Sequence, residues 1–169
     1  MKVVIIEPKF ENGEVIENLR GKYDPTMAKV VPYHITLVYP FEDDSISFDE
    51  LRNHVSSSVG NVRPFNIRLQ CVYSVEDRYL FLDVVKGKST LKELQGRLYR
   101  GVLQDYSNIP ELRYEPHITL GRFDSKEELE RALEEIGDLR DSFSANVNEI
   151  SLAEVIKGKI PKVEKIRVI

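Results

Sequence analysis

The tetrapeptide His-Ile-Thr-Leu occurs twice, at residues 34–37 and again at residues 117–120. The chain holds 3 His, 14 Ile, 4 Thr and 16 Leu in 169 residues. Given one copy, recurrence by chance after either remaining histidine is roughly 1 in 3,000, so the repeat constrains the fold to offer two equivalent places. In a strand, side chains alternate between faces. His34 and Thr36 then share one face while Ile35 and Leu37 share the other, and His117 and Thr119 stand likewise against Ile118 and Leu120. The aliphatic pair anchors each strand in a core, and the His–Thr pair is presented on a rigid element. One such strand would be an ordinary half-buried histidine beside a β-favouring threonine. Two at equivalent positions point to function.

The surrounding sequence supplies the equivalence. Residues 2–7 read as a buried strand, 13–21 as a short helix, and 31–41 as the strand carrying the first motif. Ser47 and Glu50 form a capping box for a helix with Leu51, Val55 and Val59 inward. Residues 64–75 and 79–85 alternate as two strands of a hairpin, with Glu76-Asp77-Arg78 as the turn. The pattern then replays. Thr90 and Glu93 read as a capping box opening a helix with Leu91, Leu94, Leu98 and Val102. A strand at 117–123 carries the second motif, and Ser125 with Glu128 caps a further helix. Strands near 143–156 and 162–169 close the chain. The order is β-α-β-α-β twice with one extra strand, and no Gly/Pro/Ser linker divides it. The expectation is a single α+β domain over 1–169, with a first motif half at about 1–75 and a second at about 78–169. If the halves pack by pseudo-two-fold symmetry, the two His–Thr pairs face one another across a central cleft. A parallel doubly wound sheet ranks second. Gly87-Lys88-Ser89 mimics the tail of a phosphate loop, but Leu82 stands where the leading glycine belongs.

Composition narrows the partners. Lys+Arg 24 against Asp+Glu 28 gives a net charge of −4, which lacks the basic footprint of a duplex DNA binder. No apolar run is long enough for a signal or membrane segment, and the single Cys71 fits a reducing compartment, so the expectation is a cytoplasmic protein off the membrane. Residues 86–103 carry five basic side chains (Lys86, Lys88, Lys92, Arg97, Arg100) against Glu93, a local excess that reads first as a solvated helix face and second as a guide for an RNA terminus.

Two histidines and two hydroxyls define a chemistry. Zinc sites want three or four ligands at characteristic spacing, and no such spacing exists here. No nucleophile elbow accompanies the histidines. Paired imidazoles with pKa values near ~6.5 suit general acid–base work at neutral pH, one taking a proton and one giving it. Threonine hydroxyls can donate to phosphoryl oxygens as charge develops on them. His54, on a helix outside the repeat, reads as structural or solvent-facing.

Two H-x-T motifs, each followed by an aliphatic residue, in a chain of this length and charge resemble the two-histidine phosphoesterase superfamily. That superfamily includes RNA 2′–5′ ligases, RNA 2′,3′-cyclic phosphodiesterases and small phosphoesterases of bacilli. The resemblance implies a bilobal α+β fold, two pseudo-symmetric lobes of mostly antiparallel sheet with outer helices around a central cleft. It implies hydrolysis of cyclic phosphates on nucleotides or RNA ends with no metal or other cofactor. It makes His34 and His117 the acid–base pair and Thr36 and Thr119 the phosphate donors. A basic residue five positions after the second motif histidine, found in some members, corresponds to Arg122, and the equivalent position after the first is Tyr39, which could stack on a base. Strand parity places both away from the histidines unless the strand bulges after Leu120. The expected partner is a nucleotide or RNA terminus bearing a cyclic phosphate, and the expected state is a monomer. The alternatives are an RNA 2′–5′ ligase and a non-catalytic nucleotide- or RNA-binding module of the same fold.

Overall fold

The computed structural model describes residues 1–107, 114–137, 139–156 and 159–168. Eight strands form one sheet in the order β6-β3-β4-β5-β2-β1-β7-β8, and every neighbouring pair is antiparallel. The strands are β1 (Lys2–Ile6), β2 (Ile35–Phe41), β3 (Phe65–Val75), β4 (Tyr79–Lys86), β5 (His117–Arg122), β6 (Phe143–Val147), β7 (Glu149–Ile156) and β8 (Lys159–Arg167). Helices α1 (Gly13–Tyr23), α2 (Pro25–Ala28), α3 (Phe48–Val59), α4 (Lys88–Leu98) and α5 (Lys126–Ile136) connect them, with a 3₁₀ segment at Gly101–Ser107.

The apolar alternation decides which face the helices cover. Ile35, Leu37, Leu69, Leu80, Leu82, Val84, Ile118 and Leu120 are all fully buried, and they share one core with Leu51 and Val55 of α3, Leu91 and Leu94 of α4 and Leu129 of α5. Burying each such aliphatic side chain is worth about 1.5–3 kcal/mol, so the register of these strands is strongly specified. The opposite face is left open, and it carries the polar partners in the alternation. Ser47 Oγ accepts the Glu50 N–H and Ser125 Oγ accepts the Glu128 N–H, so α3 and α5 begin where their caps place them.

Three boundaries differ from the sequence reading. Helix α4 starts at Lys88, not at a Thr90 cap, with Gly87 as N-cap at φ +85°. A Cβ at Gly87 would come within 2.8 Å of the Asn66 carbonyl, so only glycine turns the chain this tightly out of β4. The stretch 143–156 is two strands, because β6 pairs with β3 at one end of the sheet and β7 pairs with β1 near the other. The halves 1–75 and 78–169 therefore interleave. Strand β3 joins β4, β5 and β6 in one lobe, while β7 and β8 join β1 and β2 in the other. The lobes meet edge to edge where β2 pairs β5, and a pseudo-two-fold axis runs through that pair.

Candidate active site

Ile35 and Ile118 are Cα partners at the β2–β5 junction. Carrying that antiparallel register one residue either way sets His34 across from Thr119 and Thr36 across from His117. Directly opposed side chains on one face have Cβ atoms about 5 Å apart. All four are half-buried and lie on the open face, opposite the buried Ile35 and Ile118. The two motifs thus meet at the Ile35–Ile118 pair that joins the lobes. Each histidine has a hydroxyl directly across from it and another two residues along its own strand.

The two imidazoles are held alike. His34 Nδ1–H donates to the Pro32 carbonyl at 2.9 Å, and His117 Nδ1–H donates to the Glu115 carbonyl at 2.7 Å. A carbonyl oxygen can only accept, so each neutral ring carries its proton on Nδ1 and leaves Nε2 with a lone pair. Burial lowers the pKa of both imidazoles below the ordinary 6.5, partly offset by those carbonyl bonds. The Arg20 charge depresses His34 further, and the His34 charge depresses His117 further. Arg20 is itself buried, bonded to the Val31 carbonyl at 3.0 Å.

The pseudo-symmetry extends to the next strands. In β4, Phe81 pairs Thr119 and Asp83 pairs His117; in β1, Ile5 pairs Thr36, which continues to Glu7 beside His34. Each histidine therefore has a carboxylate at the same relative position, and each carboxylate raises its histidine's pKa slightly against the desolvation. Glu7 accepts from Ser151 Oγ at 2.6 Å, whereas Asp83 is ion-paired with Lys88 at 2.8 Å. Lys88 also meets Glu115, which in turn binds Lys92 at 2.5 Å. The Phe81 ring stacks on His117 with centroids 3.6 Å apart, and Tyr79 and Tyr73 pack against Phe81 in turn.

Arg122 and Tyr39 reach this face by bulges. The β4–β5 register steps from Phe81↔Thr119 to Leu80↔Gly121, so Leu120 is the extra residue and Arg122 falls opposite Tyr79. Its guanidinium lies 5.7 Å from the centre of the Tyr79 ring. The β1–β2 register steps likewise, from Ile5↔Thr36 to Val4↔Val38, with Leu37 the extra residue. Val38 is then buried in the core and Tyr39 is exposed. Burial raises the pKa values of Tyr73, Tyr99 and Tyr114, the nearby Tyr39 phenol adding a smaller push, and Tyr114 Oη donates to the Thr36 carbonyl at 2.8 Å. His54 lies elsewhere, its Nε2 bonded to the Leu98 carbonyl at 2.8 Å between α3 and α4.

Sequence reasoning missed Glu7, Asp83, Phe81, Tyr79 and Tyr73 as neighbours of the site. The signal was the alternation of 79–84, in which Tyr79, Phe81 and Asp83 oppose Leu80, Leu82 and Val84. Among the described residues no group of three or more His, Cys, Asp or Glu side chains is arranged to hold a metal ion.

Comparison with known proteins bears on the family and the fold. Residues 7–159 match the family described as the 2′-5′ RNA ligase superfamily. A protein of Geobacillus kaustophilus named "Putative phosphoesterase GK0864" is 29% identical over 121 residues, covering 70% of this chain and 67% of that protein. A protein of Geobacillus thermodenitrificans bearing the same description is 30% identical over the same coverage. Among solved structures, TT0787 of Thermus thermophilus superposes with a TM-score of 0.66 at 18% identity, over 99% of this chain and 97% of that one. E. coli LigT complexed with 3′-AMP superposes with a TM-score of 0.62 at 18% identity, over 98% and 97%. At such identities the likeness to the solved structures is one of fold.

Proposed function

The chain belongs to the 2′-5′ RNA ligase superfamily, and on that premise we propose that it is a metal-independent phosphoesterase hydrolysing 2′,3′-cyclic phosphates of nucleotides or RNA ends. One observation carries the reading. Two histidines on adjoining strands have their Nδ1 protons tied to carbonyls in the same way, which reserves both Nε2 atoms for a group between them. The relatives described as phosphoesterases, and the fold neighbour LigT with its bound 3′-AMP, support a phosphorylated nucleotide as that group.

The reaction follows from the atoms available. Water attacks phosphorus in line, its proton passing to the neutral Nε2 of one histidine as the O–P bond forms. The bond from phosphorus to one ribose oxygen breaks, and the protonated Nε2 of the other histidine supplies that oxygen with a proton. Charge growing on the non-bridging oxygens meets the Thr36 and Thr119 hydroxyls, each diagonal to the other across the β2–β5 ladder. Arg122, carried to this face by the bulge at Leu120, adds a fixed positive charge for the phosphoryl group, and Tyr39 offers a ring to the base. Because burial favours neutral imidazoles, the anionic substrate itself draws in the proton that the acid needs.

The test is turnover of 2′,3′-cyclic mononucleotides and of cyclic-phosphate-ended oligonucleotides in the presence of a chelator, with product read by chromatography. Ring-opened monophosphate is the expected product. Tight binding of such nucleotides with no turnover would replace the enzyme with a binding module.

A further inference from the structure

The five basic residues of 86–103 do not act alike. Lys88 and Lys92 are engaged by Asp83 and Glu115, and Arg97 pairs with Glu93 at 2.5 Å. Lys86 has no acidic partner among the described residues. Its position in the sheet is unusual, because simple alternation after Val84 would turn it into the core. The β3–β4 register steps from Leu69↔Val84 to Arg68↔Lys86, so Val85 is the extra residue and Lys86 emerges on the open face, directly opposite Arg68. Arg68 also has no acidic partner among the described residues. Like charges set directly opposite on a ladder destabilise it. The bulge thus creates a repulsion that plain alternation would have avoided.

These two cations line a groove of about 390 Å³ with Asn66, Ser144 and Asn146. The Asn146 amide donates to Asn66 Oδ1 at 3.1 Å, which leaves the Asn66 amide protons for a ligand. The groove continues the catalytic face. Lys86 lies three residues beyond Asp83 on β4, about 10 Å along the strand, and Asp83 pairs His117. The open face of the other lobe has a different character next to its histidine, where Val3, Ile5 and Ala153 cluster.

We propose that this groove takes the phosphodiester backbone of a single-stranded RNA whose terminal cyclic phosphate lies between His34 and His117. The inference rests on the function proposed above and narrows its substrate to oligonucleotide ends in preference to mononucleotides. An anion between Arg68 and Lys86 relieves their repulsion. The amides and Ser144 supply neutral hydrogen bonds of the kind that position a backbone without reading its bases.

The experiment compares a cyclic mononucleotide with a six-nucleotide RNA ending in a 2′,3′-cyclic phosphate, in wild type and in the double variant R68Q/K86Q. Both side chains are exposed, and a thermal melt checks that the fold is retained. Wild type should show kcat/KM on the order of ten-fold higher on the hexamer at low salt, and the double variant should abolish that advantage. Turnover of the mononucleotide should be unchanged by the substitutions. The slope of log Kd against log salt for a 3′-phosphorylated hexamer, read by fluorescence anisotropy, should shrink by about 1.4 for two lost phosphate contacts on a single strand. Equal turnover of both substrates by wild type, or equal loss on both in the variant, would overturn the groove while leaving the phosphoesterase standing. If neither substrate is turned over, the proposed function fails, and anisotropy decides the groove alone: salt-sensitive binding lost in R68Q/K86Q supports it, binding indifferent to the substitutions overturns it. Displacement of the hexamer by poly-glutamate at equal charge concentration would also overturn it, in favour of an acidic protein.

Discussion

Ile35 and Ile118 face each other across the central strand pair, both with no solvent exposure. Their burial puts His34, Thr36, His117 and Thr119 on the other side. A slip of one residue in either strand would turn its histidine and threonine into the core, at the cost of burying two polar groups and exposing two aliphatic ones. The repeated tetrapeptide is thus a register lock and the proposed reactive face in one element.

The threonines provide the first prediction. Thr36→Val and Thr119→Val keep the β-branch and remove only the hydroxyl. If each hydroxyl donates to the phosphoryl group in the transition state, each variant should lose up to about 10²–10³ in kcat, with the thermal midpoint little changed. Steady-state kinetics beside a melt separates that outcome from a purely structural hydroxyl, which would leave kcat intact.

Metal removal provides the second. Activity should survive EDTA and dialysis, since both Nδ1 atoms are tied to carbonyls and the described residues offer no third ligand. Loss of turnover with EDTA, restored by one divalent ion, would move the chemistry to a metal-bound water.

Stability should depend on pH in a defined window. The folded pKa values of His34 and His117 are lowered by burial, so below about 6.5 the unfolded chain binds protons that the native state refuses. Their contribution is therefore complete above that value and is lost as pH falls through the folded pKa values. Glu115 and Glu135 are also lowered, but from 4.5, so they act at lower pH. Urea midpoints should fall between pH 7 and 5, and the double variant H34Q/H117Q should flatten that dependence. An unchanged slope in the double variant would contradict the desolvation of the pair.

The bulge that delivers Arg122 depends on close packing at Gly121. A Cβ there would lie 2.8 Å from Tyr23 Cβ and 2.9 Å from the Phe123 ring. Gly121→Ala should cost about 1–3 kcal/mol by overpacking and should disturb Arg122 as well. Denaturant melts would give the first effect, and a raised KM for the cyclic phosphate the second. A variant as stable and as active as wild type would show that the strand bends without strain.

How much of this was legible in the sequence depends on the element. The repeat carried the histidines, the threonines and the shared face, because a period of two needs no tertiary information. Caps at Ser47 and Ser125 were readable for the same local reason. The division into halves was not: the β3–β4 hairpin was readable from its turn, but only sheet topology reveals that β6 returns to pair with β3 and β7 with β1. A trace of the break at Asn148 was present. Phe143 and Val147 are buried at odd positions, Ile150 and Leu152 at even ones, so one strand could not bury all four on one face. Parity alone placed Arg122 and Tyr39 away from the histidines, because bulges arise from pairing with a neighbour, and the sequence of one strand does not contain its partner.

The most direct test of the account is one assay of a 2′,3′-cyclic mononucleotide with wild type and three alanine variants, each checked by thermal melting. His34→Ala and His117→Ala should each lose at least ~10² in kcat/KM, and their double variant should lose less than the product of the two. His54→Ala, whose ring is bonded to the Leu98 carbonyl between two helices, should keep nearly the full rate. The wild-type profile should be bell-shaped with its maximum on the acid side of 6.5, because burial lowers the pKa of both imidazoles. Equal, mild losses at all three histidines would contradict the paired-histidine mechanism and return the repeated motif to the scaffold.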